Sequence, residues 1–159
     1  MQLRSIAPSD WPQILQIQLE CYPQIEPESL EVLQSKWLAS PESCFVLESQ
    51  DEVIGYCLAH PWLQDSPPSL EQVLTKVGKP NTLYLHDIAL SSKAQGKGAG
   101  RAALTSLIAF ARSHHYPNVS LVAVQGAHHY WAKQGFKARA IDKDLSCYPE
   151  DACYMVYTL

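Results

Sequence analysis

The sequence predicts an α/β domain built on one sheet of seven strands flanked by about four helices. Three observations predict it. The apolar residues switch repeatedly between alternation and a helical period. The segments so defined run strand, two helices, three strands, helix, strand, helix, two strands. Finally, 159 residues that are 47% hydrophobic and 18% charged suffice for one core but not for a tandem of domains, so residues 1–159 are expected to be a single domain.

Residues 2–7 alternate polar and apolar and meet Pro8-Ser9-Asp10, a helix-start signal, after which Trp11, Ile14, Leu15, Leu19 and Tyr22 mark the buried face of a first helix. Pro23 and Pro27 interrupt it, and residues 28–38 repeat the pattern through Leu30, Leu33 and Trp37. Residues 44–48 and 53–59 read as an antiparallel hairpin. Four prolines, Pro61, Pro67, Pro68 and Pro80, then break residues 61–81 around one short helical stretch at 69–77. A loop of that length inside a domain is usually functional or mobile. Residues 82–90 are strongly strand-like, 95–100 are glycine-rich, and 101–115 are helical with Leu104, Leu107, Ile108 and Ala111 on one face. A short apolar run at 119–124 suits a strand covered on both faces. A helix at 127–134, Gly135 as its stop and strands at 136–141 and 153–158 complete the chain.

Twelve basic against sixteen acidic side chains give a formal charge of -4, which leaves no basic surface to recruit nucleic acid. Five scattered cysteines, none in a C-x-x-C pair, argue against a disulfide scaffold or a zinc site. The N-terminus lacks the pattern of a signal peptide, and no apolar run is long enough for a membrane span. Together these predict a reduced, cytoplasmic protein with neither nucleic acid nor membrane as partner.

The stretch Gln95-Gly96-Lys97-Gly98-Ala99-Gly100-Arg101 lies between a strand and a helix, where unpaired backbone N–H groups and the helix dipole favour an anion. It contains neither G-x-x-x-x-G-K-[ST] nor G-x-G-x-x-G. It does match Q/R-x-x-G-x-G/A through Gln95, Gly98 and Gly100, and it resembles the acetyl-CoA pyrophosphate loop of the GNAT N-acetyltransferase superfamily. Further on, Ala127-His128-His129-Tyr130-Trp131-Ala132-Lys133-Gln134-Gly135-Phe136 resembles that superfamily's A-x-x-[FY]-[YW]-x-x-x-G-F element. With Leu85-His86-Asp87-Ile88-Ala89-Leu90 before the loop, the likeness covers about residues 83–137.

The resemblance implies a mixed, mostly antiparallel sheet whose two central parallel strands, 82–90 and 119–124, splay apart to admit acetyl-CoA. It implies that backbone groups of Ile88, Ala89 and Leu90 pair with the pantetheine arm. The pyrophosphate would rest on the amides of Gly96 to Arg101, with Gln95 at the entrance, Lys97 and Arg101 adding charge, Ala99 and the glycines leaving room, and Trp131 completing the cofactor set. Backbone N–H groups in the splay would polarise the thioester carbonyl.

Acetyl transfer to an amine needs a neutral nucleophile, yet an alkylamine is only ~0.1% neutral at pH 7, so a base or a water relay is required. His86 has a suitable intrinsic pKa, near ~6.5, and precedes the pantetheine strand. Strand alternation puts Tyr84, His86 and Ile88 on one face and Leu85, Asp87 and Ala89 on the other, which makes Asp87 structural. The segment also looks like the arylalkylamine N-acetyltransferase branch, in which two alternate strand positions carry histidine; here they are Tyr84 and His86. Many relatives carry an acidic tyrosine four residues before the Gly-Phe pair. Trp131 fills that slot, and an indole cannot shuttle a proton, so the adjacent Tyr130 is the candidate acid.

The histidine pairs His114-His115 and His128-His129 lack the i, i+4 spacing of a helical metal site, and no metal is expected. His128 lies one turn from Trp131 and can line the site. Tyr22, Glu26, Glu28, Trp62 and Asp65, from the first helix pair and the long loop, offer aromatic and acidic groups, a combination that favours a cationic, aromatic amine. The expected activity is therefore acetyl transfer to a small-molecule primary amine by direct attack in a ternary complex. A protein acetyltransferase, acting on lysine or an N-terminus, and a noncatalytic acyl-CoA sensor are the alternatives, and a homodimer is left open.

Overall fold

Two central strands that run parallel but barely touch organise the molecule. The computed structural model describes residues 1–75 and 77–159. The strands are β1 (Gln2–Ser5), β2 (Phe45–Ser49), β3 (Glu52–Trp62), β4 (Thr82–Leu90), β5 (Asn118–Ala123), β6 (Lys137–Ala138) and β7 (Cys153–Thr158). They form one sheet in the order β1-β2-β3-β4-β5-β7-β6, antiparallel throughout except between β4 and β5. That parallel pairing is limited to Leu83 with Val119 and Tyr84 with Ser120, after which the strands separate.

Helices cover both faces: α1 (Trp11–Cys21) and α2 (Leu30–Ala39) on one, α3 (Ala99–Ser113) on the other, with the short α4 (His128–Lys133) beside β6 and β7. Two apolar clusters result. Leu83, Leu85, Leu104, Leu107, Leu121 and Phe136 pack under α3, and Ile14, Leu33, Val46, Tyr56 and Leu58 pack under α1 and α2. The β2–β3 hairpin closes through Gln50 and Asp51 with φ of 52° and 61°, the left-handed pair of a primed turn that matches strand twist.

The expected order of elements is present, with four local differences. On α1, Ile17 and Gln18 are buried and Leu19 is exposed, because Gln18 is drawn inward by two 3.1 Å hydrogen bonds to the main chain of Glu28. β3 runs through Pro61 to Trp62; β2 has already ended, so that side of β3 has no ladder for proline to break. Among the described residues of the stretch 69–77, where position 76 lies outside them, there is no helix, because side chains satisfy amides that a helix would use. Ser69 N–H donates to its neighbour Gln72, while Glu71 N–H donates to Glu28 and Leu74 N–H to Ser35. The strand expected at 136–141 is reduced to Lys137–Ala138, since the chain beyond it turns so that Arg139 pairs with Asp65.

A fifth difference shapes the site. On β3, Leu58 and Ala59 are adjacent, but their partners Asp87 and Leu85 on β4 are not, so His86 is a bulged residue without a partner on β3. Leu83, Leu85, Ile88 and Leu90 therefore all reach the α3 side despite their change of parity, and Ala89 falls on the α1–α2 side. The bulge sits just beyond Tyr84, where β4 leaves β5, and a bulge bends the strand that carries it.

Candidate active site

The bulge overturns the alternation expected for β4. His86 and Asp87 line the same two cavities rather than opposite faces. The first cavity, about 60 Å³, lies on the α1–α2 side between Tyr22, Glu28, Leu70, Tyr84 and Tyr148. The second, about 240 Å³, lies in the splay between β4 and β5 and is lined by Ile88, Leu90, Leu121, Ala123, Tyr130 and Trp131. Tyr22, His86, Asp87, Val122 and Val124 border both, so the cavities meet through the gap in the sheet.

His86 Nε2 lies 2.6 Å from Glu28 Oε1, with the two side chains 6% and 7% exposed. Burial pushes the Glu28 carboxyl up, but the His86 charge and hydrogen bond, Lys36 and the Glu71 amide outweigh it and hold the group well below the usual carboxylate range. Asp87 accepts hydrogen bonds from the hydroxyls of Tyr22 and Tyr56. Burial nevertheless raises its pKa above the ordinary 3.8, against the pull of His86 and the two hydroxyls. Lys36, wholly buried on α2, has its pKa lowered by burial and countered by Glu28, Glu71 and Asp87. It donates to Gln72 O at 3.4 Å.

Three connections are tied together over the smaller cavity. Tyr148 donates to Pro68 O at 2.6 Å and meets the Tyr84 hydroxyl at 3.3 Å. Glu28 and Ser29 exchange contacts with Glu71 at 2.9 and 2.8 Å. Asp65 is held by Arg139 and, through its N–H, by the Tyr154 hydroxyl.

On the other side of the sheet, a short turn of helix (Ser92–Ala94) leads into Gln95 and then α3. Gly96 and Gly98 have φ of +77° and +67°, where glycine is at ease and side chains are strained. Gly98 N-caps α3 without any side-chain cap, so the first amides of the helix are left for an anion. A Cβ at either glycine would meet nothing within 4 Å, so the space over the turn is open. Lys97 and Arg101 are exposed beside it. An apolar slot ending at an uncapped helix N-terminus with two adjacent cations fits a pantetheine arm and its pyrophosphate.

Residues 11–136 match the sequence profile of the acetyltransferase (GNAT) family. The chain belongs to that family. It is therefore an acyltransferase that uses acetyl-CoA as cosubstrate. Solved GNAT folds superpose along its whole length. The loading GNATL domain of CurA from Lyngbya majuscula matches with a TM-score of 0.80 and 15% identity, over 99% of this chain and 96% of that one. Ard1 from Thermoplasma volcanium matches at 0.75 and 14%, over 99% and 97%. Naa20 from Chaetomium thermophilum, crystallised with a bisubstrate analogue, matches at 0.71 and 19%, over 100% and 87%. No protein of curated function matches the sequence. At these identities the likeness speaks to the fold.

Within this GNAT frame, the structure gathers some of the expected site residues and separates others. His86, Tyr22, Glu26 and Tyr84 line the smaller cavity, and Ile88, Leu90, Gly100, Tyr130 and Trp131 line the larger. Ala89 presents its side chain to the opposite apolar cluster, leaving its backbone on the strand. Tyr130 is 45% exposed, and its hydroxyl reaches the first turn of α3, 3.1 Å from where a Cβ on Gly100 would stand. Trp131 packs edge-on to Phe136 at 5.3 Å. Trp62 lines neither cavity: it is buried, stacks edge-on with His60 and anchors the long loop by donating to Ser66 O. His128 also lines neither, lying 4.0 Å from the ring of His129. Among the described residues, no group of three or more His, Cys, Asp or Glu could hold a metal ion, and no helix is long and apolar enough to cross a membrane.

Sequence reasoning missed Tyr56, Lys36 and Tyr148, and it assigned Glu28 to the acceptor rather than to His86. Tyr148 sits in a Leu-Ser-Cys-Tyr-Pro stretch whose one signal is an aromatic next to proline. Nothing local announces the other contacts, which join positions 28 and 86 or 56 and 87.

Proposed function

We propose that the 159 residues form one N-acetyltransferase domain that moves the acetyl group of acetyl-CoA to the primary amine of a small molecule in a ternary complex. The observation that carries this reading is the pair of cavities sharing Tyr22, His86, Asp87, Val122 and Val124 through the splay. Two reactants entering from opposite faces are thereby placed end to end, which makes the reaction effectively unimolecular.

When bound, acetyl-CoA supplies an activated acyl carbon and a thiol leaving group. The remaining work falls to the chain. His86 accepts the proton of the incoming ammonium, directly or through one water, at the border of the two cavities. Tyr130 on α4, whose hydroxyl reaches the first turn of α3, offers that hydroxyl to the departing sulfur. Glu26, exposed at the mouth of the smaller cavity, attracts a cation. The backbone of Ile88, Ala89 and Leu90, and the amides of Gly96 and of Gly98 to Arg101 with Gln95, Lys97 and Arg101 around them, hold the cosubstrate, the Lys97 N–H being given to Ala94 O at 3.2 Å.

Size favours a small acceptor over a protein. A cavity of about 60 Å³ has room for about four to six water molecules, or for an amino group and a short chain. The hydrogen bonds from Tyr148 to Pro68 and from Glu71 to Glu28 pin the long loop beside this cavity. Five free cysteines suit a reducing, cytoplasmic setting.

A thiol-release assay with acetyl-CoA against alkylamines, arylalkylamines, polyamines, amino acids and short peptides tests the reading. We expect turnover with small amines. In His86→Gln, kcat should fall by about 10²-fold or more, with acetyl-CoA affinity retained. Turnover confined to peptides would overturn the acceptor class, and an unchanged kcat with an unchanged pH profile would remove His86 from its role.

A further inference from the structure

We infer that Glu28 is the positioning residue of His86: it fixes the imidazole as the Nε2–H tautomer and thereby presents the lone pair of Nδ1 to the acceptor cavity. The inference rests on His86 being the base proposed above, but its central statement, which nitrogen carries the proton, can be read without any reaction.

An ionised carboxylate accepts hydrogen bonds and donates none. With Glu28 Oε1 at 2.6 Å from Nε2, the proton of a neutral His86 belongs on Nε2. Nδ1 has no hydrogen-bond partner among the described residues. It is not among the buried side-chain atoms left without a partner, whereas Nε2 of His60 is. His86 borders both cavities, so the free nitrogen is where a substrate proton would arrive.

Glu28 is built to hold this position. Its backbone N–H donates to Gln18 Oε1 and its carbonyl accepts from Gln18 Nε2, each at 3.1 Å, and Gln18 is itself buried on α1. Its second carboxylate oxygen accepts the Glu71 N–H at 2.9 Å. Both oxygens are therefore committed, one to the imidazole and one to the long loop, and both must be acceptors. The pair is nearly dry, at 6% and 7% exposure, so water cannot readily substitute for the carboxylate. The other ionisable groups around His86 come from every packed element. They are Tyr22 at the end of α1, Lys36 on α2, His60 on β3, Tyr84 and Asp87 on β4, Glu71 on the loop and Tyr148 over the cavity. Of these, His60 is kept neutral by burial. Tyr84 and Tyr148 bond to each other, and Asp87 is taken up by Tyr22 and Tyr56. Glu28 alone among them bonds the ring of His86.

Glu28→Gln discriminates because an amide offers one acceptor in place of two. If its oxygen keeps the Glu71 N–H, its NH2 faces Nε2, the imidazole must accept there, and the proton moves to Nδ1, where it blocks the base. If the oxygen keeps Nε2, the NH2 opposes the Glu71 N–H and the loop contact is lost.

The experiment is 15N-histidine NMR of the protein without ligand, titrated across pH, with His86→Gln used to assign the signal. The wild type should show the Nε2–H tautomer at His86 once the ring is neutral, and Glu28→Gln should show the Nδ1–H form or a mixture. A wild-type Nδ1–H tautomer, or a tautomer that Glu28→Gln leaves untouched while the loop signals also stay unchanged, overturns the inference. If Glu28→Gln does not fold, the wild-type spectrum still decides. With an amine that turns over in the panel above, Glu28→Gln should cost about 10- to 100-fold in kcat and spare acetyl-CoA affinity. Added to His86→Gln, it should cost little more, since the pair acts as a unit. Equal additive losses would make Glu28 merely structural. Should His86→Gln prove fully active, the base assignment fails, while the spectra still report whether Glu28 sets the tautomer.

Discussion

Tyr56→Phe removes one hydroxyl from a buried carboxylate and should destabilise the protein in a pH-dependent way. Tyr56 is fully buried, lines neither cavity, and donates to one oxygen of Asp87 while Tyr22 donates to the other. A hydrogen bond to a charged group contributes about 1.5–3 kcal/mol, against about 1 kcal/mol for a neutral pair. For a domain of this size 1 kcal/mol shifts Tm by about 2–4 °C. The variant should therefore melt about 3–12 °C below wild type at pH 7, where the carboxylate needs both donors. Burial raises the Asp87 pKa above its ordinary 3.8, and losing a donor raises it further. The stability conferred by protonating Asp87 is fully present below the unfolded value and is lost as pH rises through the raised folded value. The gap between variant and wild type should accordingly shrink as pH falls toward 4. Paired melts followed by circular dichroism from pH 4 to 8 measure this, with the wild type at each pH removing the effect of other acids. Acetyl-CoA affinity should not change. A Tm difference below about 1 °C, or one constant across pH, would refute the account of Asp87 as a carboxylate held by two tyrosines.

Two substitutions at glycine probe the cosubstrate turn and the end of α4. Gly98→Val adds a side chain at φ +67° into the open space over the α3 N-terminus; calorimetric titration should show acetyl-CoA affinity reduced at least about 10-fold with the fold retained at a cost of about 1–2 kcal/mol. Gly135→Ala, at φ +102°, places a Cβ 2.9 Å from the ring of Tyr157; urea unfolding should report a loss of about 2–4 kcal/mol, combining backbone strain and overpacking, and no loss would mean that β7 yields at that contact.

The sequence made legible whatever depends on residues near one another in the chain. Both strands 82–90 and 153–158 fall where alternation placed them, and the glycine turn falls between β4 and α3 because positive φ at Gly96 and Gly98 is a local demand. Failures arose where a distant partner outbid a local preference. The stretch 69–77 has helical spacing, yet Glu28 and Ser35, from the α1–α2 connection and α2, take its amides. Trp62 has the chemistry of a pocket aromatic, yet its indole N–H is taken by Ser66 of its own loop. Glu28 looks in sequence like one surface acid among several, and only the pairing of position 28 with 86 reveals its use.

The bulge at His86 ties these threads to the chemistry. In a regular strand, Asp87 would face α3 while His86 faced the acceptor side, and the carboxylate would lie in the apolar cluster around Leu104 and Leu107. The extra residue keeps two consecutive polar side chains on the acceptor side, while Leu85 and Ile88 on either side of them both remain in the α3 cluster. Burying Asp87 there carries a desolvation cost that Tyr22 and Tyr56 offset, and burying His86 a smaller one that Glu28 offsets. The same insertion lies just beyond Tyr84, where β4 and β5 part and the slot bordered by both residues opens, and a bulge is the feature that bends a strand. On the proposed reading, strand geometry decides together where the cosubstrate would enter and which titratable groups would meet it. Removing the extra residue would therefore be expected to abolish both features at once, rather than either alone.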